Sequence, residues 1–404
     1  MPTIDPNRVL ADLTKLRSFG VYKTGVHRPT LSDEDIAARA WFANRMSEAG
    51  LDTTIDGIGN ILGKTKAKGR KVLSGSHLES QNHAGWLDGA LGCVYALEAA
   101  RAIAAEGGDG GVDVAVFCDE EGHFGNFLGS RSFTGNLTEE DIDRARDRTN
   151  GVTTRDALKK AGYAGRPRLQ AEKGRYAAFF EAHIEQGDTL EQAGLRIGVV
   201  TAIVAIWQYK IIVTGEQNHA GTTSMKRRQD AGLTLVRLLN AIDKKFPEVA
   251  GPRSVWTTGR ITLEPGGPSI VPGRAEALFQ LRDADPKVLD RMHETLLALV
   301  AEANSERIPV EIQRLAASTP AVMDETLLKA LDASAEQHAP NAHLRMPSGA
   351  GHDAQYLARL MPAAMMFVPS IGGISHHWTE NTKDDDIVLG AQVFADAIAR
   401  VLKG

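Results

Sequence analysis

The pattern that most restricts this sequence is an alternation of strand-like and helical periods that changes rhythm once, in the middle. Such alternation builds an α/β architecture around a mostly parallel sheet. Early on, Ser32 is placed to cap a helix and Asp35 to complete a capping box. Ile36, Ala40 and Met46 then share a face, and Gly50 stops the helix. A short strand at 72–73, a helix over about 89–105 and a buried strand over 112–117 follow. In the middle, 207–213, 254–262, 275–282 and 308–315 read as strands, with helices over 230–246 and 285–305. That β-α-β-β-α-β order is ferredoxin-like. The expected organisation is one discontinuous domain, 1–206 with 323–404, around an inserted domain over 207–322.

Charge and composition remove several function classes. The chain carries 46 Lys and Arg against 51 Asp and Glu, a net charge of −5, without the basic surplus of a nucleic-acid binder. Uninterrupted apolar runs fall short of the roughly 18–20 residues that span a bilayer, and the N-terminus lacks a secretory pattern. Cys93 and Cys118 cannot build a disulfide framework and suit a reducing compartment. A cytoplasmic protein with neither nucleic-acid nor membrane partners is expected. No G-x-S-x-G elbow marks a serine hydrolase, no C-x-x-C pair marks a structural zinc, and Gly63-Lys64-Thr65 follows Ile58 where a phosphate loop needs glycine. Metal-assisted hydrolysis is the hydrolytic chemistry left.

Five segments carry it: Gly75-Ser76-His77-Leu78-Glu79 with Asp88; Asp119-Glu120-Glu121; His183-Ile184-Glu185-Gln186-Gly187; His219-Ala220-Gly221-Thr222-Thr223; and Ser375-His376-His377 with Glu380. The first two directly follow buried strand patterns, where open α/β sheets bind ligands. Imidazoles and carboxylates are donors that zinc, manganese, nickel and cobalt accept. Two ions about 3.5–4 Å apart need a bridging carboxylate, for which Asp88 beside Gly89 is a natural candidate. Neighbouring side chains in Glu120-Glu121 diverge, so one suits a metal and the other a proton.

Taken together and in this order, the segments resemble the amidase/hydantoinase/carbamoylase family of dinuclear metallohydrolases, the group of N-carbamoyl-L-amino-acid hydrolase, allantoate amidohydrolase and β-alanine synthase. The resemblance runs over essentially the full length. It implies a metallopeptidase-like catalytic domain with an inserted dimerisation domain. It implies two divalent ions, zinc or else manganese, nickel or cobalt, one held by His77, Asp88 and His183 and the other by Asp88, Glu121 and His376. Glu120 would be the general base, and His219 an oxyanion donor contributed across a homodimer interface. Arg282 would hold the carboxylate of a small-molecule substrate, and Gly349 would contact substrate through its backbone. The reaction implied is hydrolysis of a non-peptide C–N bond of carbamoyl or ureido type; a metallopeptidase or N-acyl-amino-acid deacylase, and a non-catalytic metal-dependent binding protein, are the alternatives.

Departures from the family pattern fall outside the metal and base positions. Glu79 stands where aspartate is usual, Ile206 where carbamoylases carry glutamine, Ser269 where they carry asparagine, and Trp86 where a small or polar residue is common. The expectation is the family's reaction on a bulkier or less polar substrate.

Overall fold

The computed structural model describes residues 1–404. By contact the chain divides into two compact units, Met1–Thr201 with Val322–Gly404, and Ala202–Ala321. The first passage lies a few residues before the 206/207 boundary read from the sequence. Ile206 therefore belongs to the opening strand of the inserted unit, Ala205–Thr214.

The larger unit is built on strands that run parallel in its centre. Their order across the sheet is Ala363–Val368, Ala178–Ile184, Lys71–His77 and Gly111–Phe117. Ile61–Lys64 and Asp52–Ile55 extend one side antiparallel, and Ile197–Ile203 the other. Three of the four central strands are buried along their whole length, as expected of parallel strands covered on both faces. The almost wholly apolar Ala90–Glu106 helix packs on these strands and on the terminal Asp384–Lys403 helix. The strand read over 72–73 runs on to His77, because Gly75, Ser76 and His77 continue the ladder opposite Ala115, Val116 and Phe117. His77 is thus the last residue of a strand rather than part of a following loop.

Two local readings need correction. Ser32 does cap the Asp33–Glu48 helix, and Gly50 does take left-handed backbone just after it, with φ +84°. The Asp35 carboxylate, however, does not return to Ser32. It accepts the Leu31 N–H at 2.8 Å and the Arg39 Nε–H at 2.9 Å, because a fully buried guanidinium one turn on is the stronger partner. The buried face also runs through Asp35, Ala38, Arg39, Phe42, Ala43 and Met46, leaving Ala40 exposed.

The inserted unit is an antiparallel four-stranded sheet in the order Val255–Glu264, Arg274–Asp283, Ala205–Thr214, Val310–Ala317. Alternate residues, among them Tyr209, Ile211, Val213, Ala277 and Phe279, form a core with the Ala231–Lys245 and Pro286–Ala303 helices. This is the ferredoxin-like arrangement.

Candidate metal centre

Four neighbouring strands deliver one cluster. His77 ends the first, and Glu120 and Glu121 follow the second by a short turn. His183 is the last residue but one of the third, and His376 lies in the loop beyond the fourth. Asp88 comes from the loop between Lys71–His77 and the helix that packs beneath it. All therefore gather beyond the carboxyl ends of parallel strands, where backbone groups have no further ladder to join.

Asp88 is the hub. Its Oδ1 lies 3.0 Å from His183 Nε2 and 3.5 Å from His77 Nε2, and its Oδ2 lies 3.4 Å from His376 Nε2. His376 Nε2 is in turn 3.7 Å from Glu121 Oε2. Two donor triads result, His77–Asp88–His183 and Asp88–Glu121–His376, each with ligand atoms within 4.8 Å of one another. Glu120 belongs to neither; its Oε2 stands 3.6 Å from His77 Nε2.

The donors fit divalent cations. His77 donates its Nδ1 proton to the Glu79 carbonyl at 3.0 Å, and His183 donates its own to the Ile184 carbonyl at 2.9 Å. Both rings therefore turn an Nε2 lone pair toward Asp88. His77 Nε2 is buried without a hydrogen-bond partner, an arrangement that costs free energy unless a cation takes the lone pair. The protonation energetics follow from the same close contacts. Burial resists ionisation of Asp88, but the imidazoles of His183, His376 and His77 outweigh it and hold the carboxyl well below its usual range. Burial pushes Glu120 well above the carboxylate range, with His77 offsetting only part. The hydrogen bond to Asp88 lifts His376 to about 9.

Outer contacts hold the donors. Glu380 accepts the backbone N–H groups of Asp88 and Leu87 at 3.1 and 3.3 Å and the Ser375 hydroxyl at 3.0 Å. Burial and Asp88 push its carboxyl up to about 8. A Cβ at Gly85 would overlap this carboxyl, and one at Gly89 would overlap the His77 ring, so both glycines serve close approach. Gln81 donates to Glu121 through its backbone N–H at 3.1 Å and its amide at 2.7 Å. Gln186 donates its amide to Asp88 Oδ2 at 2.9 Å. Sequence reasoning assigned neither amide a part. Neutral side chains carry no metal or acid–base signal, and only their place in loops that bear ligands pointed to them.

Gly349 lies in the same unit, in a turn where the Ser348 hydroxyl donates to the Ala350 carbonyl at 2.9 Å and accepts its N–H at 3.1 Å. Trp86 is nearly buried, with the guanidinium of Arg17, the last residue of the Pro6–Arg17 helix, 5.1 Å from its ring centroid. The remaining expected residues belong to the inserted unit, where strand pairing sets them in twos. His219 pairs with Ile270, and the Ala220 N–H donates to the Ser269 carbonyl at 2.9 Å, which places Ser269 beside His219. Ile206 pairs directly opposite Arg282, whose Nε donates to Gln280 Oε1 at 2.7 Å. His219 Nδ1 accepts N–H groups of Gly221 and Thr222, each at 3.1 Å. Its proton therefore sits on Nε2. No helix of the protein is long and apolar enough to cross a membrane.

Comparison with known proteins agrees with this chemistry. The family described as Peptidase family M20/M25/M40 matches residues 73–400. The chain is 32% identical over 385 residues to an allantoate amidohydrolase of Bacillus subtilis (strain 168), covering 93% of each protein. It is 31% identical over 414 residues to an N-carbamoyl-L-amino-acid amidohydrolase of Pseudomonas sp. (strain NS671), covering 98% of this chain and 99% of that one. A crystal structure of an amidase of the hydantoinase/carbamoylase family from Burkholderia phymatum superposes with a TM-score of 0.92 at 45% identity, covering 100% of this chain and 99% of that one.

Proposed function

The chain belongs to the M20/M25/M40 peptidase family, and from that premise we propose that it is a metal-dependent amidohydrolase cleaving a carbamoyl or ureido C–N bond of a small carboxylate-bearing substrate. The observation that carries this reading is Glu120, a buried carboxylate beside two donor triads and a member of neither. Binding alone does not need it; hydrolysis does.

Two divalent ions sharing Asp88, zinc or else manganese, nickel or cobalt, would polarise the substrate carbonyl and lower the pKa of the attacking water. His77 and His183 would hold one with Asp88, and Glu121 and His376 the other with Asp88. Glu120 takes the proton of that water on its carboxylate and delivers it to the leaving nitrogen. His219, acting within a homodimer, donates its Nε2 proton to the developing oxyanion. Arg282 offers the planar fork that suits a substrate carboxylate, and Gly349 offers a backbone contact. Ile206 and Ser269 flank Arg282 and His219 respectively, so the substrate group read there is less polar than one read by glutamine and asparagine. A carbamoyl substrate consumes one water and yields an amine, carbon dioxide and ammonia.

Ammonia is the discriminating product. Enzyme supplied with zinc or manganese is expected to release it from N-carbamoyl or ureido acids. Turnover confined to N-acyl compounds or dipeptides, with no ammonia, would replace this reading with a deacylase or peptidase.

A further inference from the structure

The position that departs from the family pattern beside the first ligand does something its chemistry alone does not suggest. Glu79 is fully buried, yet it does not orient His77 through its carboxylate. Oε1 is 4.0 Å from His77 Nδ1, and that nitrogen already donates to the Glu79 backbone carbonyl at 3.0 Å. Oε1 instead accepts the backbone N–H of Glu120 at 2.7 Å, while Oε2 accepts from Arg39 Nη2. Arg39, equally buried, donates to Asp35 Oδ2 at 2.9 Å and to the Gly59 carbonyl at 3.0 Å. A chain of charged groups thus runs from the Asp33–Glu48 helix to the backbone of the proposed base.

We infer that Glu79 is a positioning residue that fixes Glu120 by tethering its backbone N–H, with Arg39 and Asp35 as the anchor. Three facts support this. Glu120 follows Asp119, which is held in left-handed backbone at φ +62°, so the turn leaves the strand ladder and its N–H needs another acceptor. Buried ion pairs are poor stabilisers against apolar packing, so stability does not explain two carboxylates around one guanidinium in this core. Reach matters too: aspartate is shorter by one C–C bond, about 1.5 Å, and would meet either Arg39 or the Glu120 N–H but not both. The same Glu79 holds His77 through its carbonyl and Glu120 through its carboxylate, which fixes the two relative to each other.

The proposal rests on Glu120 being the base, and the test separates the two claims. Glu79→Asp keeps the charge and loses the reach. It is expected to lower kcat by about 10- to 10²-fold, the scale of a misplacement near 1 Å, with KM and bound metal little changed. Hydrogen exchange of the 118–127 segment should accelerate. Glu79→Gln keeps the reach and one acceptor oxygen, which can stay on the Glu120 N–H while its NH2 faces Arg39 and loses that ion pair. It should lower thermal stability yet retain several-fold more kcat than Glu79→Asp, with slower exchange in that segment. Wild-type kcat and exchange in Glu79→Asp, or the reverse ranking of the two variants, would overturn the tether and point to charge instead. Should Glu79→Gln not fold, Glu79→Asp and its exchange decide alone. Undiminished turnover by Glu120→Gln would refute the base while leaving the exchange result as the test of the tether.

Discussion

Replacing Glu120 with glutamine is expected to reduce kcat by roughly 10²- to 10⁴-fold, the usual worth of a positioned general base, while bound metal and thermal stability stay close to those of the parent. The substitution keeps size and shape and removes only the capacity to take a proton. Glu120 is in neither donor triad, so the ions need not be lost. Burial already raises its proton affinity well above that of an ordinary carboxylate, which suits a group that must hold a proton between attack and departure of the leaving nitrogen. Ammonia release measured beside metal content decides the point. Full activity would remove Glu120 as the base; lost metal would make Glu120 a ligand.

Asp88→Ala is expected to have the larger effect. Asp88 is the one residue common to both triads, with an oxygen directed to each. Its removal leaves His77 and His183 on one side and Glu121 and His376 on the other, two donors for each ion where catalytic metal sites usually keep three protein ligands. Metal content should fall toward zero and ammonia release toward background. The variant should still fold, since the parallel ladder from Lys71 to His77 does not involve Asp88. Retention of one ion with partial activity would show that one triad works without the bridge.

Much of this centre was legible in the sequence because its chemistry coincides with its topology. His77, Glu120 and Glu121 stand at the ends of buried apolar runs, and a run of that kind announces both a strand and the edge where ligands gather. The β-α-β-β-α-β period of the inserted unit was equally plain, since its strands alternate between a helix-covered core and a polar face. The Asp35–Arg39–Glu79 chain was not legible. Glu79 lies 40 residues from Arg39, and an arginine on the buried face of a helix defeats a reading based on apolar spacing. The side-by-side placement of Ile206 with Arg282, and of Ser269 with His219, comes from strand register, which local periodicity does not reveal. Glu79 shows the same limit at the scale of one side chain: it stands two residues after His77, yet its extra methylene over aspartate carries the carboxylate on to Glu120.

Hydrolysis at this centre requires cations gathered about one aspartate. Anomalous diffraction from crystals of active enzyme, collected at the absorption edge of the bound metal, should reveal two peaks about 3.5–4 Å apart. One should be liganded by His77 and His183, the other by Glu121 and His376, with Asp88 between them. Active crystals with no metal peak in this cluster, from protein that still releases ammonia after exhaustive chelation, would contradict it.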